Sequence, residues 1–186
     1  MNEVQSPSRH APLYSSKKWD WETPQDRWDR WNQIFGFTLD VAASPLNNKC
    51  EDYFTEEDNA LMQSWETEGL WWCNRPWGVE YTKATGITSS DWAAKCVREW
   101  AEGREGVAIV AARTDTGWWQ DNIRWVPYVL FLRGRINYLH PDVEKSQGNF
   151  PSALWVFFEP SQKQLLMLSM EGWLVKTHKI PQRVLE

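Results

Sequence analysis

The sequence is poor in the residues and segments on which several classes of protein depend. Only three of its 186 residues are cysteines, and Cys50, Cys73 and Cys96 have no C-x-x-C spacing. We therefore expect neither a disulfide framework nor a zinc site. The sequence has no signal peptide and no apolar run of the ~18 residues that a membrane span needs. These absences predict a cytoplasmic protein that is neither secreted nor membrane-spanning.

Positive charge is also scarce. The chain has 20 Lys and Arg residues against 25 Asp and Glu residues, which gives a net charge of −5. A nucleic-acid partner would therefore have to bind a local basic patch against an unfavourable mean field. Tryptophan is abundant instead, with 15 copies. Most of these side chains should lie in the core, because aromatic rings remove large areas from water.

The chain divides into a short arm and one folded domain. Residues 1–18 have little apolar periodicity and predict a flexible N-terminal arm. Residues 19–186 have the length of a single domain. A helical pattern opens this domain, with Thr23 as the expected cap and Pro24 in the first turn.

Strand and helix patterns change along the domain. Strand-like runs at 35–44, 70–74 and 106–112 alternate with helical patterns. Four closely spaced strand-like runs then follow, at 128–132, 135–139, 153–158 and 164–170. This order predicts an α/β fold with a mostly parallel sheet, helices on both faces and a C-terminal antiparallel hairpin.

Polar residues stand at the ends of the predicted strands. Asp40 ends a strand in LDVAAS, and Asn74 ends the apolar run LWWCN. Ligands of open α/β sheets bind in the crevice beyond the carboxyl ends of the strands. Each residue alone is compatible with a simple loop cap or turn, but together they predict a ligand site. Arg113 and Thr114 follow the run 106–112 and should reach the same crevice.

The order of these motifs resembles one enzyme family. The segments TPQ, FGFTLDVAAS, CEDYFTEEDNAL, WWCNRPWG, AARTDT and FLRGRINY, over roughly residues 20–158, resemble the phage-type Dam family of DNA adenine-N6 methyltransferases. The resemblance implies a class I, Rossmann-like methyltransferase fold, whose seven-stranded sheet has one strand reversed near the end. It also implies S-adenosylmethionine as cofactor and double-stranded DNA as partner, with no metal. We expect a phage or prophage protein, with a monomer favoured, that protects DNA from restriction in the cytoplasm of a bacterial host.

The resemblance also implies which residues hold the cofactor. They belong to a segment near its methionine end, to a small-residue loop after the first strand, and to an acidic position that contacts ribose or adenine. The loop lacks the glycine-rich form of many relatives. The residues are Thr23 and Pro24, then Asp40, Ala42, Ala43 and Ser44, then Asp58, together with Asn74.

Asn74, Arg75, Pro76 and Trp77 resemble the catalytic motif N-P-P-Y/F/W, with Arg75 in place of the first proline. An exocyclic adenine amine is a poor nucleophile because its lone pair is delocalised into the ring. In the family, the Asn side-chain oxygen and the next backbone carbonyl accept its N–H bonds and direct the lone pair at the methyl group. The resemblance implies that the base leaves the duplex and stacks on Trp77.

Arg75 allows two interpretations. Its guanidinium could contact a DNA phosphate with activity retained, or the change could leave a weakened or silent site, since Asn74 no longer precedes a proline that would restrict its backbone. Arg133 and Arg135, on either side of Gly134, match a family segment and are expected to contact the DNA backbone. Arg113 and Thr114 are also expected to bind DNA.

Two other functions remain open at this level. The motif serves any planar amide-like nitrogen, so cytosine N4 or an RNA base is an alternative substrate, although Asn rather than Ser at its first position favours adenine. A catalytically silent protein that binds cofactor and DNA is a second alternative. The chain is too short for a separate recognition domain, so we expect loops such as 78–90 and 140–151 to carry specificity.

Overall fold

The computed structural model of the chain describes residues 21–140 and 150–177. The expected N-terminal arm, residues 1–18, lies outside the described residues. The described residues contain seven strands, β1 (Phe37–Asp40), β2 (Asp52–Tyr53), β3 (Leu70–Cys73), β4 (Gly106–Ala111), β5 (Tyr128–Leu132), β6 (Ser152–Val156) and β7 (Gly172–Lys176). They also contain five helices: α1 (Gln25–Phe35) before β1, α2 (Val79–Thr85) and α3 (Ser89–Ala101) before β4, α4 (Gly117–Ile123) before β5, and α5 (Gln162–Glu171) before β7.

All seven strands belong to one sheet, in the order β2-β1-β3-β4-β6-β5-β7. The three pairings from β2 to β4 are parallel, and the three pairings that involve β6 or β7 are antiparallel. The sheet is therefore mixed, and the expectation of a mostly parallel sheet is wrong. The reversed strand β6 lies between β4 and β5, so these two strands point the same way without pairing. A second reversed strand, β7, extends the sheet beyond β5.

The last third of the chain departs furthest from the sequence prediction. The run 164–170 is part of helix α5, where Ser161 and Gln164 form a reciprocal capping box that starts a helix in spite of the apolar run. The run 135–139 forms only an isolated bridge, between Leu139 and Glu22. The predicted antiparallel C-terminal pairing is present in β5 and β6, which are consecutive strands that pair with each other, whereas α5 separates β6 from β7, and β7 pairs with β5.

Helices cover both faces of the sheet. Neighbouring side chains of β3 point to opposite faces, so each face of this strand packs against a different part of the chain. On one face Trp72 packs against Trp31 of α1, with ring centroids 5.7 Å apart. On the other face Trp71 packs against Trp65 at 5.0 Å, and Trp65 in turn contacts Trp92 of α3. Tryptophan thus supplies much of the core, as its abundance predicted.

The sheet brings two strand ends together. β1 and β3 are adjacent and parallel, so Asp40 and Asn74 lie at the same carboxyl edge. β4 and β5 point the same way, so the segments after Ala111 and Leu132 reach that edge too. No helix among residues 21–140 and 150–177 is long and apolar enough to cross a membrane.

A side chain at Gly106, the first residue of β4, should destabilise the protein. Gly106 pairs with Trp71, and a Cβ atom at position 106 would overlap the Trp71 ring and carbonyl oxygen. Gly106→Ala should therefore lower the free energy of unfolding by about 1–3 kcal/mol, because central strands would have to shift. Urea unfolding at equilibrium measures this change.

Gly117→Ala is the matched control. A Cβ atom at position 117 would meet only the Asp121 Oδ2 atom, at 4.0 Å. Alanine also favours the helix that begins there, so the control should be as stable as the parent or slightly more stable. A Gly106→Ala variant with the parent's stability would contradict the tight packing of β3 against β4.

Candidate active site

Asp40 ends β1 as a buried carboxyl, 3% exposed. Its Oδ1 accepts a hydrogen bond from the Ala42 N–H at 3.3 Å, and its Oδ2 accepts one from the Lys49 N–H at 3.1 Å. Burial raises its pKa from 3.8 to about 6, although both hydrogen bonds and the Lys49 charge oppose that rise. A nearby cation would favour the ionised carboxylate.

Lys49 belongs to this site although no sequence motif pointed to it. Its buried ammonium group donates to Glu22 Oε1 at 2.5 Å and to Gln25 Oε1 at 2.8 Å. Glu22 also exchanges two backbone hydrogen bonds with Leu139, at 2.8 and 2.9 Å. Lys49 thus ties the loop after β1 to the segment before α1. Its partners are far away in sequence, and no motif spacing could have revealed them.

The segment 21–23 connects the two strand ends. The backbone oxygen of its first residue, Trp21, accepts a hydrogen bond from Asn74. Lys49 links Glu22 to Asp40, because its ammonium group donates to Glu22 and its backbone N–H donates to Asp40. Thr23 is 1% exposed, and its hydroxyl has no partner among the described residues. The prediction that Thr23 caps α1 is wrong, because Pro24 is the N-cap and no side chain caps the helix. Buried hydroxyls are normally hydrogen-bonded, so Thr23 offers a polar ligand an unused partner.

The loop after β1 folds back on itself and on β2. The Ala43 N–H donates to the Phe54 oxygen at 2.9 Å, and the Ser44 N–H donates to Asn47 Oδ1 at 2.7 Å. The side chains of Ala42 and Ala43 are small, so a ligand can approach the backbone there closely.

Asp58 follows β2, the neighbour of β1, and is exposed. Its Oδ2 accepts hydrogen bonds from the Thr55 N–H and hydroxyl, each at 2.7 Å. The backbone hydrogen bond from Thr55 is the main cause that lowers the pKa of Asp58. The carboxylate therefore stays ionised while it holds this turn together.

The carboxamide of Asn74 is held at both ends. Its Nδ2 donates to the Trp21 oxygen at 2.8 Å, and its Oδ1 accepts from the Trp77 indole N–H at 2.8 Å. These two bonds fix the orientation of the amide, since only the oxygen can accept from an indole N–H. The oxygen keeps a second lone pair for another donor.

Arg75 is buried, at 7% exposure, and its guanidinium carbon lies 4.6 Å from the Trp77 ring and 5.7 Å from the Trp118 ring. Its nitrogens donate to the Pro76 oxygen at 3.0 Å and to Ser89 Oγ at 2.8 Å. Burial lowers the pKa of Arg75 to about 10, so it remains a cation near neutral pH. The guanidinium is directed into the protein, and this geometry does not support the interpretation that Arg75 contacts a DNA phosphate.

Trp77 is equally enclosed, with 7% exposure. Its ring contacts the Arg75 guanidinium, and the Phe150 and Tyr138 rings lie 5.4 and 6.1 Å away. A base could stack on this ring only after one of these neighbours moved.

Exposed basic residues stand at the same carboxyl edge. Arg113 and Thr114 follow β4, and Arg133 and Arg135 follow β5; all four are exposed. Gly134, between the two arginines, has a positive φ of 78°, which turns the chain there. Within the described part of the chain, no group of His, Cys, Asp and Glu residues could hold a metal ion.

The raised pKa of Asp40 should make the stability of the protein depend on pH. Its pKa is about 6 in the folded protein against an ordinary value of 3.8. Between about pH 4 and pH 6 the folded state therefore binds more protons than the unfolded state, and the free energy of unfolding falls as pH rises, by roughly 3 kcal/mol at most. Asp40→Asn cannot ionise, so its stability relative to the parent should grow across this window in urea titrations.

Asp58→Asn is the control, with the opposite sign. The lowered pKa of Asp58 stabilises the fold above its unfolded pKa, and this contribution disappears as pH falls. The Asp58→Asn variant should therefore lose stability relative to the parent as pH rises. A flat difference between Asp40→Asn and the parent would contradict a raised pKa at Asp40.

Comparisons with known proteins match the chain to one family model and to one curated relative. A family model described as DNA N-6-adenine-methyltransferase (Dam) matches residues 11–179. The chain is also 38% identical over 60 residues to "Putative methyltransferase YfdM" of Escherichia coli (strain K12), in a match that covers 31% of this chain and 66% of that protein. The chain thus spans just under two thirds of that relative's length. Because the family model matches most of the chain, the protein belongs to the Dam family of DNA N-6-adenine-methyltransferases.

Proposed function

We propose that this protein transfers a methyl group from S-adenosylmethionine to the N6 amine of an adenine in double-stranded DNA. One observation carries the proposal. Asp40 and Asn74 end adjacent parallel strands, and the segment 21–23 joins them through hydrogen bonds and an ion pair. A buried carboxyl and an oriented amide oxygen thus lie at one edge, and family membership supports adenine as the base.

The residues at this edge fit S-adenosylmethionine. Asp40 offers a buried carboxyl whose ionised form a cationic group would stabilise, and Thr23 offers a buried hydroxyl without a partner among the described residues. The cofactor supplies an activated methyl group when bound, and the chain binds and orients it. The proposed binding residues are Thr23, Pro24, Asp40, Ala42, Ala43, Ser44 and Asp58, together with the backbone of Asn74.

Asn74 and Arg75 would act on the adenine amine. Asn74 Oδ1 has one lone pair left after its bond to Trp77 and would accept one amine N–H. The backbone carbonyl of Arg75 would accept the other. Two acceptors at these positions hold the amine and raise electron density on its nitrogen, which favours attack on the methyl group. The base must leave the duplex to reach them.

DNA would lie along the carboxyl edge. Arg113, Thr114, Arg133 and Arg135 are exposed there, and three of them are cations in a chain of net charge −5. This local concentration of positive charge supports contact with the phosphate backbone. We further propose that the protein acts in a bacterial cytoplasm, as a phage or prophage product that protects DNA from restriction.

A catalytically silent protein that binds cofactor and DNA is the second candidate. The enclosure of the Trp77 ring favours it, because a base could stack there only after a neighbouring side chain moved. Methyl transfer separates the two candidates.

Loss of the Asn74 side chain should abolish transfer and spare cofactor binding. We expect Asn74→Ala to lower incorporation of labelled methyl into unmethylated DNA by about 10²-fold or more, since an acceptor at the reacting amine is lost. Its affinity for S-adenosylmethionine, measured by titration calorimetry, should stay within about threefold of the parent's. The silent-protein candidate is supported instead if the parent binds the cofactor but incorporates no label.

Asp40→Ala should weaken binding of the cofactor. Removal of the buried carboxyl should weaken S-adenosylmethionine binding by about tenfold or more, because charge-assisted contacts are among the strong ones. Titration calorimetry measures the change, and Asp58→Ala shows whether the exposed carboxylate contributes as well. Unchanged affinity in Asp40→Ala would remove Asp40 from the cofactor site.

DNA binding should depend on salt through the arginines of the carboxyl edge. Each phosphate contact contributes about 0.9 to the slope of log affinity against log salt concentration, so Arg133→Ala combined with Arg135→Ala should lower that slope by up to about 2.

Arg98→Ala combined with Lys163→Ala is the matched control for this measurement. It also removes two exposed cations, but these lie in the later part of α3 and at the start of α5, toward the opposite edge of the sheet. We expect the control to keep the parent's slope. An equal loss of slope in both double variants would leave the carboxyl-edge arginines without a specific role.

A further inference from the structure

We infer that Trp77 and Arg75 are positioning residues for the Asn74 carboxamide, and that Trp77 acts through its indole N–H rather than as a stacking surface for the base. This inference rests on the proposed function of the same site. Arg75, which stands where the family motif has a proline, thus has a structural role.

The first support is the hydrogen bond from the Trp77 indole N–H to Asn74 Oδ1, at 2.8 Å. The opposite end of the carboxamide donates to the Trp21 oxygen, also at 2.8 Å. If the amide turned by 180°, its NH₂ group would face the indole N–H, and its oxygen would face a carbonyl oxygen. Both contacts would then be repulsive, so Trp77 and Trp21 together select the orientation that presents an acceptor.

The second support is the enclosure of the Trp77 ring. The Arg75 guanidinium lies 4.6 Å from the ring centroid, and the Phe150 ring lies 5.4 Å away. Only 7% of the Trp77 surface is exposed. A flipped base would have to displace packed groups to stack there, whereas the hydrogen bond to Asn74 is already formed.

The third support is the way in which Arg75 is held. Its guanidinium donates to Ser89 Oγ, at the start of α3, and lies 5.7 Å from the Trp118 ring of α4. A cation over an indole face is attractive, and more so when it is shielded from water. Arg75 thus connects two helices to the Trp77 ring and restrains that ring. A proline at position 75 would instead have restrained the Asn74 backbone.

Trp77→Phe separates the two roles of the indole, because phenylalanine keeps an aromatic face and loses the N–H. We expect kcat for methyl transfer to fall by about tenfold or more, as for other lost positioning contacts. KM for DNA should stay within about twofold, and 2-aminopurine at the target position should brighten as with the parent. Arg75→Met keeps the length of the side chain without its charge and should lower kcat in the same pattern.

Trp173→Phe is the matched control. Trp173 lies on the edge strand β7 and is 72% exposed, so the same change there should leave kcat, KM and the 2-aminopurine signal at parental values. Thermal unfolding shows whether each variant is folded. Parental kcat in Trp77→Phe would overturn the inference, as would a loss confined to KM and the 2-aminopurine signal.

Nuclear magnetic resonance tests the same contact without any activity. In the parent, the Trp77 indole proton should exchange slowly with solvent, and Asn74→Ala should shift its resonance and speed its exchange. Trp77→Phe and Arg75→Met should in turn shift the Asn74 side-chain amide resonances. Failure of the parent to methylate DNA would overturn the proposed function alone. An indole proton that does not respond to Asn74→Ala would overturn the positioning role alone.

Discussion

The site depends on the parallel pairing of β1 with β3. This pairing places Asp40 and Asn74 at one edge, and the segment 21–23 holds both ends in relation to each other. The core beneath keeps the two strands in register, since the indole rings of Trp71 and Trp72 pack on opposite faces of β3. A shift of β3 by one residue would exchange these faces and move Asn74 away from Trp21. The geometry of the site is therefore set by the packing of the sheet.

The arginine at position 75 changes how the segment 74–77 is restrained. In the family motif a proline follows the asparagine, and its ring limits the backbone conformations of that asparagine. Here the arginine side chain is buried between Trp77 and Trp118 and bonded to Ser89. Restraint of the backbone is thus replaced by side-chain packing that involves α3 and α4. The cost is a buried cation, which the two indole faces and the hydrogen bonds offset.

The sequence predicted what depends on local pattern and on general sheet geometry. The uninterrupted apolar runs identified β3 and β4, and the strand ends placed Asp40 and Asn74 at one edge. The prediction failed at 164–170, where the Ser161 and Gln164 capping box makes a helix of an apolar run that resembles a strand. Contacts between distant segments were also out of reach. Neither the Lys49–Glu22 ion pair nor the burial of Arg75 follows from any spacing, because their partners meet only in the folded chain.

The identity of the methylated nucleoside distinguishes adenine-N6 methylation from its alternatives. DNA incubated with the protein and S-adenosylmethionine that carries a trideuterated methyl group can be digested to nucleosides and analysed by mass spectrometry. A carboxyl-edge site that orients an adenine amine predicts the label in N6-methyladenine, and none in N4-methylcytosine. Label in N4-methylcytosine, or cofactor bound in the crevice without any labelled nucleoside, would contradict this account of the site.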